Sequence, residues 1–197
     1  MVSIERAASS LFGIMGYGVH LNAYVIDEEG KIKYWVAKRT LDRKTHPGML
    51  DTTVGGGKAT GEDPFDCMVR ESTEEASFDK ELLRRDAKSV GVVTYFYVTD
   101  ERSGGEIGTL SPECVYIYDI LVSADFQPKP ADHSVECFML MDVEELKEAL
   151  AADKFKTNCA LVLIDFFIRQ GIITPENEKD YIEIVARLHR NPEFPCA

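Results

Sequence analysis

Hydrophobic positions change their period several times along the chain, and each change marks an element. Val19 to Ile26 and Lys33 to Thr40 are apolar, β-branched-rich runs joined by Asp27-Glu28-Glu29-Gly30, the pattern of a hairpin. A polar stretch from Asp42 to Gly48 follows, with Pro47-Gly48 as its turn. Met49 to Val54 then reads as one short strand running into Gly55-Gly56-Gly57. From Pro64 the apolar spacing becomes helical. Asp63 suits the N-cap, Pro64 the first helical position, and Asp66 adds favourable charge to the first turn. Glu81 to Asp86 is a short helix. Val90 to Val98, Val115 to Val122 and Glu136 to Met141 are strands, with a Gly104-Gly105 turn after the first. Asp142-Val143-Glu144-Glu145 begins a helix reaching about Ala151, by the logic of the capping box. Thr157 to Gln170 and Pro175 to His189 predict two more helices. Upstream, Ala7 to Phe12 forms a helical turn, and Gly13, Gly16 and Gly18 punctuate a loop. Strands with helices on both sides predict an α/β/α sandwich around a mixed sheet.

Composition narrows the class. The chain has 197 residues, 45% hydrophobic and 28% charged, which fits one globular domain with a sizeable core. A formal net charge of −12 excludes nucleic-acid binding through a basic surface. Phosphates can then be handled only through local cations. The five cysteines are widely spaced and make no C-x-x-C pair, so neither a disulfide framework nor a zinc site is indicated. No secretory signal pattern opens the chain, and the apolar run Ala160 to Ile168 is short and broken by Asp165. The expectation is a cytoplasmic protein without a membrane partner.

One stretch carries candidate chemistry: Gly56, five residues, Glu62, seven residues, then Arg70-Glu71-x-x-Glu74-Glu75. At about 100° per residue, Glu75 lies roughly 40° from Glu71 on one side and Glu74 roughly 60° on the other. Phe65, Val69 and Ala76 form a separate stripe that can be buried. Three carboxylates on one helical face repel one another unless a cation sits between them. Arg70, one turn before Glu74, can hold their rotamers. A solvated face is the ordinary reading of a run of glutamates. The glycine strand, the capped start and the Arg-Glu pair at fixed distances favour a metal site instead.

This spacing resembles the Nudix box, G-x5-E-x7-R-E-U-x-E-E-x-G-U, in which U is a bulky apolar residue. Gly56, Glu62, Arg70, Glu71, Glu74, Glu75 and Phe78 match, whereas Ser72 stands at the first U and Ser77 replaces the second glycine. A serine in the left-handed conformation of that glycine costs roughly 1 kcal/mol. The runs His46-Pro47-Gly48-Met49-Leu50-Asp51, Pro112-Glu113-Cys114-Val115-Tyr116-Ile117-Tyr118-Asp119 and Val135-Glu136-x-Phe138-x-Leu140-Met141 are similar to the Nudix domain associated with fungal thiamine pyrophosphokinase. On that reading residues 19–190 form the Nudix domain, 1–18 are a lead-in resembling the tail of an upstream region, and 191–197 are a tail.

The resemblance implies Mg²⁺-dependent hydrolysis of a small-molecule diphosphate, with Mn²⁺ as the alternative ion. Oxidised thiamine diphosphate analogues are the implied substrates, giving the monophosphate and phosphate. It further implies that Glu71, Glu74 and Glu75 hold the metal with the Gly56 carbonyl, and that Arg70 and Glu62 support them. Glu71 or Glu75 would orient the water, and Glu136 and Glu113 are candidate bases from outside the box. Arg39, His46 and Lys58 are candidates for the phosphates and pocket lining, and Tyr97 and Tyr118 for an aromatic wall against the ring. Two other readings stay open: a broader diphosphatase acting on nucleoside diphosphate derivatives or isopentenyl-diphosphate-type substrates, and a catalytically weak binding module.

Overall fold

The computed structural model describes residues 4–103, 106–191 and 193. The Gly104-Gly105 turn, Met1 to Ser3 of the lead-in and most of the 191–197 tail lie outside the described residues.

A 3₁₀ turn, Arg6–Phe12, precedes β1 (Gly16–Ile26) and β2 (Ile32–Arg39), which pair antiparallel with Tyr24 opposite Tyr34. The strand expected over Met49 to Val54 is two pieces, β3 (Leu50–Asp51) and β4 (Val54–Gly57). β3 pairs with β2, and β4 crosses to pair antiparallel with β1. Thr53 makes the crossing: its hydroxyl donates to the Trp35 carbonyl at 2.5 Å and accepts from the Ala23 amide at 2.9 Å. The three glycines into which this strand was expected to run are themselves part of β4, with Gly55, Gly56 and Gly57 opposite His20, Val19 and Gly18 of β1. A Cβ on Gly18 would stand 3.0 Å from the Gly56 carbonyl oxygen.

Next come α1 (Pro64–Ala76), α2 (Lys80–Asp86), β5 (Lys88–Val98), β6 (Leu110–Leu121), β7 (Val135–Asp142), α3 (Val143–Ala151), α4 (Thr157–Arg169) and α5 (Tyr181–Leu188). The last helix is shorter than expected. Residues 174–180 form turns in which the Asn177 side chain accepts from the Thr174 amide. β1 and β6 are parallel, and the seven-stranded sheet is mixed, with β3-β2-β1-β6-β5 as its main path. The α/β/α layering expected from the sequence is the observed one.

Alternation divides the strand side chains between the two faces of the sheet. Val19, Leu21 and Ala23 of β1 face α1 through Met68 and Val69. Tyr34 and Val36 of β2 face α3 and α4 through Leu146, Leu163 and Phe166 on the other side. Asp165, the charge inside the apolar α4 run, pairs with Arg169 Nε at 2.7 Å, and Arg169 also binds Asp119. No helix among the described residues is long and apolar enough to cross a membrane.

Candidate functional site

The site is built on α1 and the glycine strand. Asp63 Oδ1 accepts from the Phe65 amide at 2.8 Å, so the helix starts where the cap predicts. It ends at Ser77, which takes φ 56°, the left-handed conformation that its box position demands. Ser72 is buried and its hydroxyl contacts Met68 Sδ at 3.6 Å, in the preceding turn.

Arg70 organises the acidic face. Its Nε donates to Glu62 Oε1 at 2.8 Å, its Nη1 to Glu71 Oε1 at 2.8 Å and Glu74 Oε2 at 3.3 Å, and its Nη2 to Glu62 Oε2 at 3.1 Å. Those bonds hold the Glu62 carboxyl down to about 2. Glu71 in turn lies on Gly56, where a Cβ would stand 2.1 Å from its Cδ. Any side chain at Gly56 would expel Glu71, so the box glycine is required for the carboxylate's position.

Glu75 is the exception on this face. Burial, followed by the nearby charges of Asp51, Glu71 and Asp132, pushes its carboxyl up to about 8, against a hydrogen bond from the Gly55 amide. The Ser134 hydroxyl is 3.4 Å from its Oε1. Glu71 and Glu75 line a cleft of about 370 Å³ together with Arg43, Gly55, Gly56, Gly57, Lys58, Ala59 and Arg70. Oxygen donors crowded around a carboxylate that cannot ionise freely fit a hard divalent ion.

A second cluster lies behind the glycine strand. His20, Asp51 and Cys159, all buried, bring one potential ligand atom each within 4.8 Å of one another. Here the groups satisfy one another. Asp51 accepts from the Cys159 thiol at 2.6 Å, the Thr52 amide at 3.0 Å and Arg39 Nη1 at 3.1 Å, and His20 Nδ1 is 2.6 Å from the Thr52 hydroxyl. Burial alone would raise the Asp51 carboxyl, but Lys156, with the Cys159 thiol and Arg39, holds it down to about 2. Burial lowers His20 to about 4, so the imidazole is neutral. With Arg39 and Lys156 already beside Asp51, a divalent ion has no charge left to neutralise.

The remaining expected residues are placed variously. Lys58 lines the cleft, donates to the Glu62 carbonyl at 3.0 Å and lies over the Tyr17 ring. Arg39, expected at the phosphates, points inward to Asp51 and to the Thr45 and His46 carbonyls. His46 is half-buried in that loop at φ 50°, and its Nδ1 has no hydrogen-bond partner. Tyr118, expected on an aromatic wall, is 4% exposed and packs edge-on against Phe65 in the α1 core. Tyr97 is half-buried with its ring centroid 6.4 Å from that of Tyr95. Glu136 pairs with Lys38 at 2.9 Å, and Glu113 accepts from the Tyr95 hydroxyl. Neither of these two acids lines the cleft. Sequence reasoning passed over Arg43, Asp51 and Asp132. A lone acid between Leu50 and two threonines was the available signal for Asp51.

Comparison with known proteins gives a consistent picture. The model of the NUDIX domain family matches residues 16–161. An uncharacterised protein of Saccharomyces cerevisiae is 41% identical over 98% of this chain and 58% of its own length. Nudix hydrolase 20 of Arabidopsis thaliana, named as chloroplastic, is 38% identical over 94% of this chain and 47% of its own length. The chain thus spans about half the length of these curated relatives. Among solved structures, the Ap4A hydrolase of C. elegans shares the fold, with a TM-score of 0.52 at 18% identity, over 80% of this chain and 99% of that one.

Proposed function

The chain belongs to the Nudix family of hydrolases, and from that premise we propose that it hydrolyses the diphosphate of oxidised thiamine diphosphate analogues in the cytoplasm, with Mg²⁺ as the ion. The observation that carries the reaction is that Glu71 and Glu75 line one cleft with the glycine strand, while Arg70 ties Glu74 to Glu71 beside it. The substrate rests on the flanking runs His46–Asp51 and Pro112–Asp119, whose resemblance to the thiamine-associated type is in the sequence.

Glu71, Glu74 and Glu75 would hold the ion, with the Gly56 carbonyl beside them. Bound there, it would neutralise charge on the phosphate oxygens and lower the pKa of an attacking water. Arg70 keeps Glu71 and Glu74 in place through its two Nη1 bonds, so the ligands are arranged before substrate arrives. Glu75, fixed by the Gly55 amide, orients the water. Water attacks the terminal phosphorus, the anhydride P–O bond breaks, and the monophosphate ester leaves with that oxygen. Lys58 contributes a positive charge at the cleft wall.

A phosphate-release assay with Mg²⁺ tests the reading across oxothiamine diphosphate, thiamine diphosphate, ADP-ribose and NADH. Oxothiamine diphosphate is expected to turn over fastest. Turnover no faster than that of ADP-ribose would remove the thiamine assignment and leave the broader diphosphatase.

A further inference from the structure

The loop between β2 and β3 is held far more tightly than a surface connection needs. Arg39, 8% exposed at the end of β2, donates through Nε to the His46 carbonyl at 3.1 Å and through Nη2 to the Thr45 carbonyl at 2.8 Å. Its remaining nitrogen, Nη1, is anchored on Asp51 at 3.1 Å. The His46 amide donates to the Arg102 carbonyl at 3.0 Å, and the Gly48 amide closes the neck on the Thr40 carbonyl at 3.3 Å. His46 adopts φ 50°, a conformation costing a side-chain-bearing residue about 1–2 kcal/mol, which persists only where the surroundings impose it.

What this loop presents is Arg43. It reaches the wall of the cleft shared by Gly55 to Gly57, Glu71 and Glu75. The other cations of the cleft are committed: Arg70 to Glu62, Glu71 and Glu74, and Lys58 to the Glu62 carbonyl and the Tyr17 ring. Arg43 forms no ion pair among the described residues, although its cleft is acidic and the chain carries −12. A guanidinium is suited to a phosphate because its planar fork can bond two oxygens at once.

We propose that Arg43 grips the diphosphate from the β2–β3 loop at the cleft wall, and that Arg39 is its positioning residue, acting through the loop carbonyls. The proposal rests on the reading that this cleft takes a diphosphate, and is independent of the thiamine assignment. Binding of methylenediphosphonate to the whole chain in Mg²⁺, measured by calorimetry, tests it without turnover. Arg43→Gln is expected to weaken binding about 10- to 100-fold, the range for a lost hydrogen bond to a charged group. Arg43→Lys, which keeps the charge and loses the fork, is expected to restore only part of that. Arg39→Lys retains a cation against Asp51 but loses the two loop bonds. It is expected to match Arg43→Gln, and the double variant to bind no more weakly than Arg43→Gln alone. Wild-type affinity in Arg43→Gln, or no binding by the wild type, overturns the proposal. Full additivity in the double variant overturns the role of Arg39. A thiamine panel that fails while the Arg43 effect stands would identify the substrate reading as the one in error.

Discussion

Two clusters of potential metal ligands stand back to back across the glycine strand, and they have opposite electrostatics. In front, Glu71 and Glu75 face a cleft, with Glu74 beside them on Arg70, and burial, followed by the charges of Asp51, Glu71 and Asp132, pushes the Glu75 carboxyl up to about 8. Behind, His20, Asp51 and Cys159 are sealed in the core, and Arg39 and Lys156 have already compensated the one anion. Among the described residues, ligand atoms of three side chains come within 4.8 Å of one another in the rear cluster alone. An all-carboxylate donor set and access from a cleft belong to the front cluster alone, and those two properties make it the candidate for a hard cation and the rear one a buried structural network.

The largest effect expected from this contrast is on turnover. Glu75→Gln keeps the volume of the side chain and removes its capacity to ionise at the cleft. Phosphate release should fall by about 10²–10⁴-fold, the range for a group acting there, while circular dichroism stays that of the wild type. Equal rates in the two proteins would leave the front cluster without a catalytic role. Asp51→Asn should behave the other way. It leaves Arg39 and Lys156 uncompensated in the core, at a cost of about 3–5 kcal/mol. A lowered urea midpoint would report that cost. A variant as stable as the wild type would mean that the rear network is not what holds this end of the sheet.

How much of this contrast could be read beforehand depended on range along the chain. The front helix announces itself locally: Asp63 and Pro64 start it, the spacing places the glutamates, and Ser77 stands where a left-handed residue must end it. The rear cluster joins β1, β3 and the start of α4, positions 20, 51 and 159, which no local period connects. The same limit explains Arg39 and Tyr118. A basic residue at a strand end and a tyrosine in a β-run look alike whether they face a ligand or the interior. Only the pairing of β3 with β2 turns Arg39 onto Asp51, and only the seating of α1 brings Phe65 against Tyr118. The split between β3 and β4 was hidden for a similar reason, since it depends on Thr53 bonding both β1 and β2.

Metal and pH sharpen the comparison further. Without metal, the folded protein holds a proton on Glu75 up to about pH 8, whereas an unfolded chain releases it near 4.5. Over that window the native state binds the extra proton, so stability falls as pH rises. In EDTA the melting temperature should therefore decline from pH 5 to pH 8, and Glu75→Gln should flatten the decline. Mg²⁺ at about 100 times its Kd should return about 2.7 kcal/mol to the wild type and much less to Glu75→Gln. Cys159→Ala should retain the full Mg²⁺ effect. Loss of that effect in Cys159→Ala instead would move the ion to the rear cluster and reverse the assignment.

The smallest effect concerns the end of the helix that carries the front cluster. Ser77 sits at φ 56° with its hydroxyl on the Lys129 carbonyl at 3.1 Å, an exposed bond. Ser77→Gly removes the left-handed penalty of about 1 kcal/mol and sacrifices that bond, so a gain in stability somewhat under 1 kcal/mol is expected. The value of the measurement lies in what should stay constant. The Ser77 side chain lines no part of the cleft, and the positions of Glu71 and Glu74 are set by Arg70 and Gly56 rather than by the helix terminus. Turnover should therefore be unchanged while the melting temperature rises. A large rise in kcat would mean that the serine at this box position restrains catalysis, as a weak binding module would require. Unchanged kcat would locate the activity in the charges of the front face alone, where departures from the box at Ser72 and Ser77 do not reach.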